Sequence, residues 1–266
     1  MGVAFPSQNR KKAFFMSLEL EIQRIIEEKF AELGRPDLIR TPIVAFASAH
    51  DPKYAQLKEI IGPWHCLPTD FLPEAESVIS YFIPFTREVA LGPKNEPDGC
   101  PVWSEAYITI NSHFHVVNQA VQDYLEAQGY QVAQIRPPKA YDPDNFHAVW
   151  SHRSTAVIAN LATLGANNLA ITEKGSGGRF CSLITSAKLE PDREPPKKVC
   201  PYVKNGSCGL CIKACPAGAL TENGTNKAAC QAELNKNPER LKKKNAKFIA
   251  DICGKCLSVC PLVYIE

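Results

Sequence analysis

Eight of the eleven cysteines lie between residues 200 and 260, and their spacing is typical of iron–sulfur proteins. The run C-x2-C-x3-C-P occurs twice, first in "SCGLCIKACPAGAL" (207–220), and each run has a further cysteine on its N-terminal side. The x2 step brings two thiolates and neighbouring N–H groups onto one cluster. The x3 step turns the last cysteine away, so that it binds the second cluster, as in two-cluster ferredoxins.

The spacing assigns the eight thiolates to two four-iron clusters. The first cluster takes Cys200, Cys208, Cys211 and Cys260, and the second takes Cys215, Cys230, Cys253 and Cys256. Two long gaps, 7 residues after the first of these cysteines and 22 between Cys230 and Cys253, depart from the short-ferredoxin spacing. Two zinc sites with four thiolates each would also use eight cysteines, but zinc does not need the x3-C-P step. The spacing therefore favours iron–sulfur clusters over zinc.

The composition is that of an ordinary globular chain of 266 residues, 45% of them hydrophobic and 22% charged, with a net charge of +2. So small a charge gives no argument for nucleic-acid or membrane binding by the chain as a whole. No apolar run approaches the length of a membrane span, and no apolar stretch follows the basic residues near the N-terminus. These features predict a cytoplasmic protein whose clustered cysteines bind metal instead of forming disulfides. The other three cysteines, Cys66, Cys100 and Cys181, are predicted to be buried small hydrophobes.

Residues 17–187 alternate predicted helices and strands, which indicates an α/β or α+β domain. Apolar periodicity predicts the helices, and short β-branched or aromatic runs predict the strands. The helices cover 18–33, 105–128 and 152–164, and the strands cover 41–48, 76–85, 130–135, 168–172 and 180–187. Prolines and glycines predict loops over 86–104 and 136–150, which we expect to line a cleft, and a hairpin turn at "EKGSGGR" (173–179).

A proline-rich, charged stretch at 189–199 separates this domain from the cysteine-rich unit. The chain therefore divides into an N-terminal tail (1–16), an α/β cofactor and substrate domain (17–187) and a cluster domain (188–266). Clusters attached to such a domain usually supply electrons to a second cofactor. Neither the G-x-G-x-x-G fingerprint nor a Walker A motif is present, so the sequence does not indicate a nicotinamide or nucleoside triphosphate site.

The stretch "HRSTAVIANLATLGANNLAITEKGSGGRFCSLITSAKLEPD" (152–192), followed by "CGLCIKACPAGAL" (208–220), resembles the core of the epoxyqueuosine reductase family. Reductive dehalogenases are similar over the same span. The resemblance implies a nitroreductase-like α/β domain that holds a cobalamin, followed by a small double [4Fe-4S] ferredoxin-like domain. It also implies that the clusters reduce the cobalt, which then attacks or reduces a substrate. A flavin in the same cleft is the alternative cofactor.

Three features depart from these families. Epoxyqueuosine reductases carry an acid just before a Tyr-His pair, whereas "WSEAYIT" places Ala106 there and Glu105 one residue early. Those enzymes also have a C-terminal helical-repeat extension that helps to hold tRNA, and this sequence ends at Glu266. Reductive dehalogenases carry a twin-arginine export signal, which "NRKK" (9–12) does not match.

Two residues near the start of the second predicted helix are candidate proton donors. Glu105 could donate a proton if burial near a cofactor raised its pKa, and Tyr107 could donate from its phenol. The structural alternatives are an acid that stabilises the first turn of the helix and a tyrosine that packs in the core.

Four further residues are candidate cofactor contacts. Ser151, His152 and Arg153 lie at a helix start, where they could hold an anionic or amide-bearing cofactor or act only as a cap and surface charges. Gly177 could let a cofactor approach the backbone closely.

The basic run "NKNPERLKKKNAK" (235–247) could dock an acidic electron donor such as a ferredoxin or flavodoxin, or contact tRNA phosphates, or form a solvated surface. Together these features predict an iron–sulfur, corrinoid-using oxidoreductase. The alternatives are a flavin-dependent reductase, an electron-transfer protein that serves another corrinoid protein, and a corrinoid-handling protein without a small substrate.

Overall fold

The computed structural model describes residues 17–96, 98–135, 141–142, 144–197 and 199–266. Within these residues the helices are α1 Leu18–Glu32, α2 Lys53–Ile60, α3 Pro68–Phe71, α4 Arg87–Asn95, α5 Pro101–Ala127, α6 His152–Ile158, α7 Pro201–Asn205, α8 Leu210–Lys213, α9 Lys227–Leu234, α10 Asn237–Lys243 and α11 Lys255–Ser258. The strands are β1 Ile43–Ser48, β2 Ser77–Pro84, β3 Val132–Gln134, β4 Tyr141–Asp142, β5 His147–Ala148, β6 Thr163–Leu164, β7 Ala170–Ile171, β8 Gly178–Thr185, β9 Leu220–Thr221 and β10 Gly224–Thr225. None of the described helices is both long enough and apolar enough to cross a membrane. The predicted tail and part of the predicted loop 136–150 lie outside the described residues.

A four-stranded sheet in the order β1-β2-β8-β3 forms the centre of the N-terminal region. β2 and β8 pair along their full length, from Ser77 opposite Thr185 to Pro84 opposite Gly178. Every neighbouring pair in this sheet is antiparallel. Of the two predicted fold classes, the structure therefore has the mixed α+β class, because an α/β fold requires a mostly parallel sheet.

Helices cover both faces of this sheet. On one face, α1 and α5 pack against Ile79, Tyr81 and Ile83 of β2. On the other face, α2 and α6 pack against Val78 and Phe82 of the same strand. Successive side chains of a strand point to opposite faces, so a strand covered on both sides is apolar throughout. This arrangement explains the continuous apolar run over 76–85.

The ends of α1 and α5 follow local sequence signals. The Ser17 hydroxyl accepts a hydrogen bond from the amide of Leu20, which caps α1, and Gly34 after it has a φ of +66°. α5 begins at Pro101, earlier than the predicted residue 105, because proline is well suited to the first helical position. Gly129, with a φ of +89°, follows its end as predicted.

Two predicted boundaries are wrong. The segment 86–104 is not a loop, since it contains α4 and the first turn of α5. Gly92 lies within α4 because the helix packs closely there: a Cβ at Gly92 would lie 2.6 Å from the Sγ atom of Cys100. α6 ends at Ile158 instead of residue 164, and Asn160, with a φ of +55°, turns the chain away.

The glycine turn 173–179 begins with a tight two-residue turn, in which Thr172 and Gly175 exchange backbone hydrogen bonds (3.1 Å each), but it does not join its two flanking strands as a hairpin. β7 pairs with β6, whereas β8 pairs with β2 and β3, so the turn joins two different sheets. Its backbone instead pairs with the C-terminal segment: the amide of Ser176 donates to the carbonyl of Leu262 (3.0 Å), and that of Gly177 donates to the carbonyl of Val263 (2.8 Å). A Cβ at Gly175 would lie 2.5 Å from the Val263 oxygen. The glycines therefore allow the C-terminal segment to lie directly against the turn.

Candidate functional site: two thiol groups and an adjoining basic cleft

The thiols assigned to the first cluster lie together. Cys260 interacts electrostatically with Cys200, Cys208 and Cys211, although 45 or more residues separate it from each of them in the sequence. The same four residues line one cavity, whose wall is completed from the N-terminal region by residues that include Gly165 and Ser176. The structure thus brings together the four thiols that the sequence pattern assigned to one cluster.

The thiols assigned to the second cluster also lie near one another. Cys256 interacts electrostatically with Cys253, Cys230 and Cys215, and also with Cys211 of the first group. Burial, followed by the charges of these neighbours, raises the pKa of Cys256 to about 12. Since metal ligands are deprotonated thiolates, assembly of a cluster here must release protons. The two groups adjoin where Cys211 approaches Cys256.

The thiols of the described residues are spread apart in each group. Among the described residues, no group of three or more His, Cys, Asp or Glu side chains is placed to hold one metal ion. A zinc ion needs its sulfur ligands about 2.3 Å away, which brings them close together. A cubane places its irons and sulfides between the ligands and needs them around a larger space. The four thiols of the first group line a common cavity, as ligands arranged around one cluster would.

Local backbone features aim these thiols inward. The amide of Ala219 donates to the Sγ atom of Cys215 (3.3 Å), and the amide of Leu262 donates to that of Cys260 (3.4 Å). Such N–H···S bonds stabilise thiolate charge and tune cluster potentials. Gly254, just before α11, has a φ of +74° and packs so closely that a Cβ would lie 2.6 Å from the Trp103 indole. Close packing on α5 therefore fixes the second cysteine run.

Arg153, His152 and Arg179 lie near one another at the starts of α6 and β8, and we call this group the basic cleft. The Arg179 guanidinium at the start of β8 lies 4.5 Å from the centre of the Tyr107 ring, and its Nε donates to the Oδ1 atom of Asn111 (3.0 Å). Arg153 interacts electrostatically with both Arg179 and Cys256. Among the described residues, neither arginine forms a salt bridge with a carboxylate. The cleft therefore offers positive charge to an anionic or amide-bearing group.

His152 lies in the same cleft as a neutral ring. Its Nδ1 atom is 2.7 Å from the Ser182 hydroxyl, which also accepts a hydrogen bond from the Trp150 indole (2.9 Å). Burial, and after it the nearby charge of Arg179, lowers the pKa of His152 to about 4. The ring is therefore uncharged near neutral pH, and Ser182 fixes its orientation.

Ser151 acts as the N-cap of α6. Its hydroxyl accepts a hydrogen bond from the amide of Ser154 (3.2 Å), and its own amide donates to the Nε2 atom of His65 (3.2 Å). His65 is buried and stacks on Trp150. Ser151 thus orients the start of the helix that carries His152, which is the structural alternative that the sequence left open.

The two candidate acids have different surroundings. The Glu105 carboxylate forms a 2.9 Å ion pair with Arg35, which also pairs with Asp37 (2.6 Å). Tyr107 instead lies against Arg179 in the basic cleft. Ala106 between them is fully buried in the core. The structure therefore places Tyr107 beside Arg179, and Glu105 beside Arg35.

Sequence reasoning missed three residues of this site. Arg179 is part of the predicted turn, and only its position at the start of a buried apolar strand marked it as unusual. Asn111 lies on α5 one turn after Tyr107 and gave no signal of its own. The buried Asn167 donates from Nδ2 to the carbonyl of Cys256 (3.1 Å), which links the loop after β6 to the second thiol group.

The basic run 235–247 is largely paired within the chain. Lys236 and Arg240 both pair with Glu233 (3.0 and 2.6 Å), and Lys242 pairs with Glu239 (2.7 Å). A further lysine of the run, Lys244, pairs with Glu96 (3.0 Å). The net charge that this run offers to a partner is therefore much smaller than its sequence suggests.

Comparisons with known proteins agree with the cluster region. Residues 204–263 match the family described as a 4Fe-4S double cluster binding domain. Cys200 lies outside this match, and the other seven cysteines of the two groups lie within it. The matched segment confirms the predicted double-cluster unit.

Curated relatives are named epoxyqueuosine reductase. The chain is 34% identical to the Listeria monocytogenes protein over 41% of this chain and 28% of the relative. It is 26% identical to the Staphylococcus aureus protein over 71% of this chain and 49% of the relative. The chain thus matches less than half the length of each of these two enzymes.

Solved structures share the fold. Epoxyqueuosine reductase from Streptococcus thermophilus superposes with a TM-score of 0.56 at 19% identity, covering 93% of this chain and 66% of that one. An epoxyqueuosine reductase solved with an epoxyqueuosine-modified tRNA stem loop gives a TM-score of 0.53 at 19% identity, with the same coverage. The reductive dehalogenase NpRdhA gives 0.54 at 13% identity, covering 82% of this chain and 29% of that one. The chain is therefore similar in its mixed α+β fold to both groups of proteins that the sequence resembles.

Proposed function

We propose that the protein is an iron–sulfur reductase of the epoxyqueuosine-reductase-like type, in which two [4Fe-4S] clusters supply electrons to a corrinoid held in a nitroreductase-like domain. The observation that supports this proposal is a hydrogen-bonded link between the cleft and the second thiol group: Arg153 donates to the carbonyl of Asn168 (2.5 Å), and the adjacent Asn167 donates to the carbonyl of Cys256 (3.1 Å). The cleft and the second cluster are therefore neighbours. In this proposal the chain divides at residues 187 and 188 into a cofactor domain and a cluster domain.

The cleft residues fit a bound cofactor with anionic and amide groups. Arg153 and Arg179 lack carboxylate partners among the described residues, and His152 and Ser151 lie at the same end of α6. In the proposal these side chains hold and orient the cofactor. Gly177, the fourth residue expected to contact a cofactor, faces the C-terminal segment instead, because a Cβ there would lie 2.9 Å from the Val263 oxygen. A reduced corrinoid supplies a strong nucleophile or reductant for the substrate.

Tyr107 is the proposed proton donor. Its ring lies 4.5 Å from the Arg179 guanidinium in the basic cleft, and a phenol is one of the side-chain groups that act as general acids. Glu105 is the second candidate, but its ion pair with Arg35 directs its carboxylate to a different partner. A matched pair of variants distinguishes them: Tyr107→Phe should lower turnover by about 100-fold or more, whereas Glu105→Gln should leave it nearly unchanged.

Anaerobic purification from cells supplied with cobalamin tests the cofactor. We expect cobalt near one atom per chain and, with a chemical reductant, conversion of epoxyqueuosine in a tRNA stem loop. Bound flavin without cobalt would contradict the corrinoid and indicate a flavin-dependent reductase.

One observation favours a second function. Ala106 is fully buried at the position where epoxyqueuosine reductases carry their acid. A corrinoid-handling or electron-transfer protein needs no such acid. Stoichiometric cobalt without turnover of any epoxyqueuosine substrate would support that function and contradict the reductase.

A further inference from the structure

The region outside the first thiol group carries an unusual surface. Three large apolar side chains are strongly exposed there, namely Val199 (40%), Val203 (57%) and Leu210 (47%). Only four other large apolar side chains among the described residues are so exposed, and those are scattered over α1, α2, α5 and β6. Contiguous exposed apolar residues mark interaction sites more often than chance exposure does.

This surface forms an open concavity beside α7. Its lining consists of Lys197, Val199, Pro201, Val203, Lys204 and Leu262, which we call the α7 surface. It contains two lysines and no carboxylate. Among the described residues, neither lysine forms a salt bridge, unlike most basic residues of the run 235–247. The α7 surface therefore carries positive charge that no carboxylate among the described residues pairs with.

The α7 surface is the outer side of the first cluster's wall. Pro201 lines both the concavity and the cavity that contains the four thiols of the first group. Cys200, the first of those thiols, is the N-cap residue of α7. A protein seated on the α7 surface would thus be separated from the first cluster by about one layer of residues. The second thiol group, by contrast, is joined to the helix of the basic cleft by hydrogen bonds: Arg153 donates to the carbonyl of Asn168, and Asn167 donates to that of Cys256.

We infer that the α7 surface is the docking site of a small acidic one-electron carrier protein, which delivers electrons to the first cluster. An apolar centre rimmed by lysines complements a carrier whose exposed redox centre lies among acidic residues. The inference rests on the proposed function in taking the thiol groups to be clusters. In this inference, electrons pass from the carrier to the first cluster, then to the second cluster, and from there to the cleft.

The electrons balance over two encounters. Each reduced carrier loses one electron, which enters the first cluster, and leaves the α7 surface in its oxidised form. Two such encounters supply the two electrons of a two-electron reduction, and the protons come from solvent. No other reductant is needed.

Stopped-flow reduction of the cluster-loaded protein tests the docking site directly. Reduced flavodoxin serves as the acidic carrier, and bleaching of the cluster absorbance is followed at low and high salt. In Lys197→Glu/Lys204→Glu, we expect the second-order rate at low salt to fall about 10-fold or more, because charge steering accelerates association by 10- to 1000-fold. Val203→Glu should slow the reaction in the same way. Reduction by dithionite, which needs no docking surface, should stay unchanged in all variants.

A matched control carries the same charge change elsewhere. Lys242→Glu/Lys243→Glu reverses two lysines of the basic run and should keep the wild-type rate with flavodoxin. Equal slowing in this control, or a wild-type rate in the α7-surface variants, would overturn the inference. A wild-type dimer that the Val203→Glu change splits into monomers would also overturn it, because a second copy of the chain would then occupy the surface.

This experiment is separable from the proposed reductase activity. Cluster bleaching needs neither a corrinoid nor a tRNA. If the α7-surface variants keep the wild-type rate with flavodoxin while the wild-type protein turns over its substrate, only the docking site is refuted. If those variants are slowed as expected but the wild-type protein shows no turnover, only the proposed reaction is refuted.

Discussion

Replacement of Arg40 by alanine should release the C-terminal segment from the rest of the protein. The Arg40 guanidinium donates hydrogen bonds to three backbone carbonyls, those of Phe85 (3.0 Å), Lys174 (2.6 Å) and Ile265 (2.7 Å). It also lies 4.3 Å from the centre of the Tyr264 ring. One side chain therefore joins the end of β2, the glycine turn and the C-terminus, which follows the cluster ligand Cys260 by only a few residues.

The size of the effect follows from these contacts. Hydrogen bonds to charged groups contribute roughly 1.5–3 kcal/mol each, and partial exposure of this site lowers that figure because water can replace the donor. Of these contacts, the Ile265 bond and the Tyr264 ring hold the C-terminal segment itself. About 1 kcal/mol for the bond and about 0.5–1 kcal/mol for the ring contact give a loss of about 1.5–2 kcal/mol in the local stability of that segment. That loss corresponds to about 10- to 30-fold faster hydrogen exchange of its amides.

Hydrogen exchange of the cluster-loaded protein measures this change. In Arg40→Ala, the amides of Val263 and Ile265, which are hydrogen-bonded in the wild type, should exchange faster, and a chelator should remove iron sooner. Arg193→Ala is the matched control, because Arg193 also donates to a backbone carbonyl (Val44, 2.8 Å) but does not hold the C-terminus. Unchanged exchange in Arg40→Ala, or equal acceleration in the control, would refute the reasoning.

Three further predictions concern single residues. Gly175→Val should destabilise the protein by at least about 2 kcal/mol, measured by chemical denaturation, because Gly175 has a φ of +100° and its Cβ would meet Val263. Cys200→Ser should remove or convert the first cluster and leave the second intact. Electron paramagnetic resonance of the reduced protein should then keep the signal of the second cluster, and loss of the signals of both clusters would contradict the assignment. Because the pKa of His152 is lowered to about 4 in the folded protein, the unfolded chain binds the proton more readily; this residue's contribution to stability should be present above about pH 6.5 and lost as the pH falls towards 4. An NMR titration that gave His152 an ordinary pKa would contradict this prediction.

The sequence predicted those parts of the fold that depend on local signals. The cap at Ser17, the positive φ of Gly34 and the apolar run of β2 are local, and the structure confirms them. The partition of the eight cysteines into two groups was also predictable, because a C-x2-C-x3-C-P run by itself sends its last thiolate to the other cluster.

Features that depend on tertiary contacts were not predictable. In the sequence, Gly92 and Pro93 indicate a loop. In the structure both lie within α4, where Gly92 packs against the side chain of Cys100. The glycines of the turn leave room for the C-terminal segment to pair with its backbone, and that segment lies more than 80 residues later in the chain. Arg179 belongs to the site only because β8 pairs with β2 and brings it beneath α5. No local pattern contains these long-range contacts.

The number of iron and sulfide ions per chain tests the central claim most directly. Protein purified without oxygen should contain about eight irons and eight sulfides per chain, since each of the two thiol groups would hold one four-iron cluster. Zinc at about two ions per chain, with no iron or sulfide, would contradict the clusters and the electron route built on them.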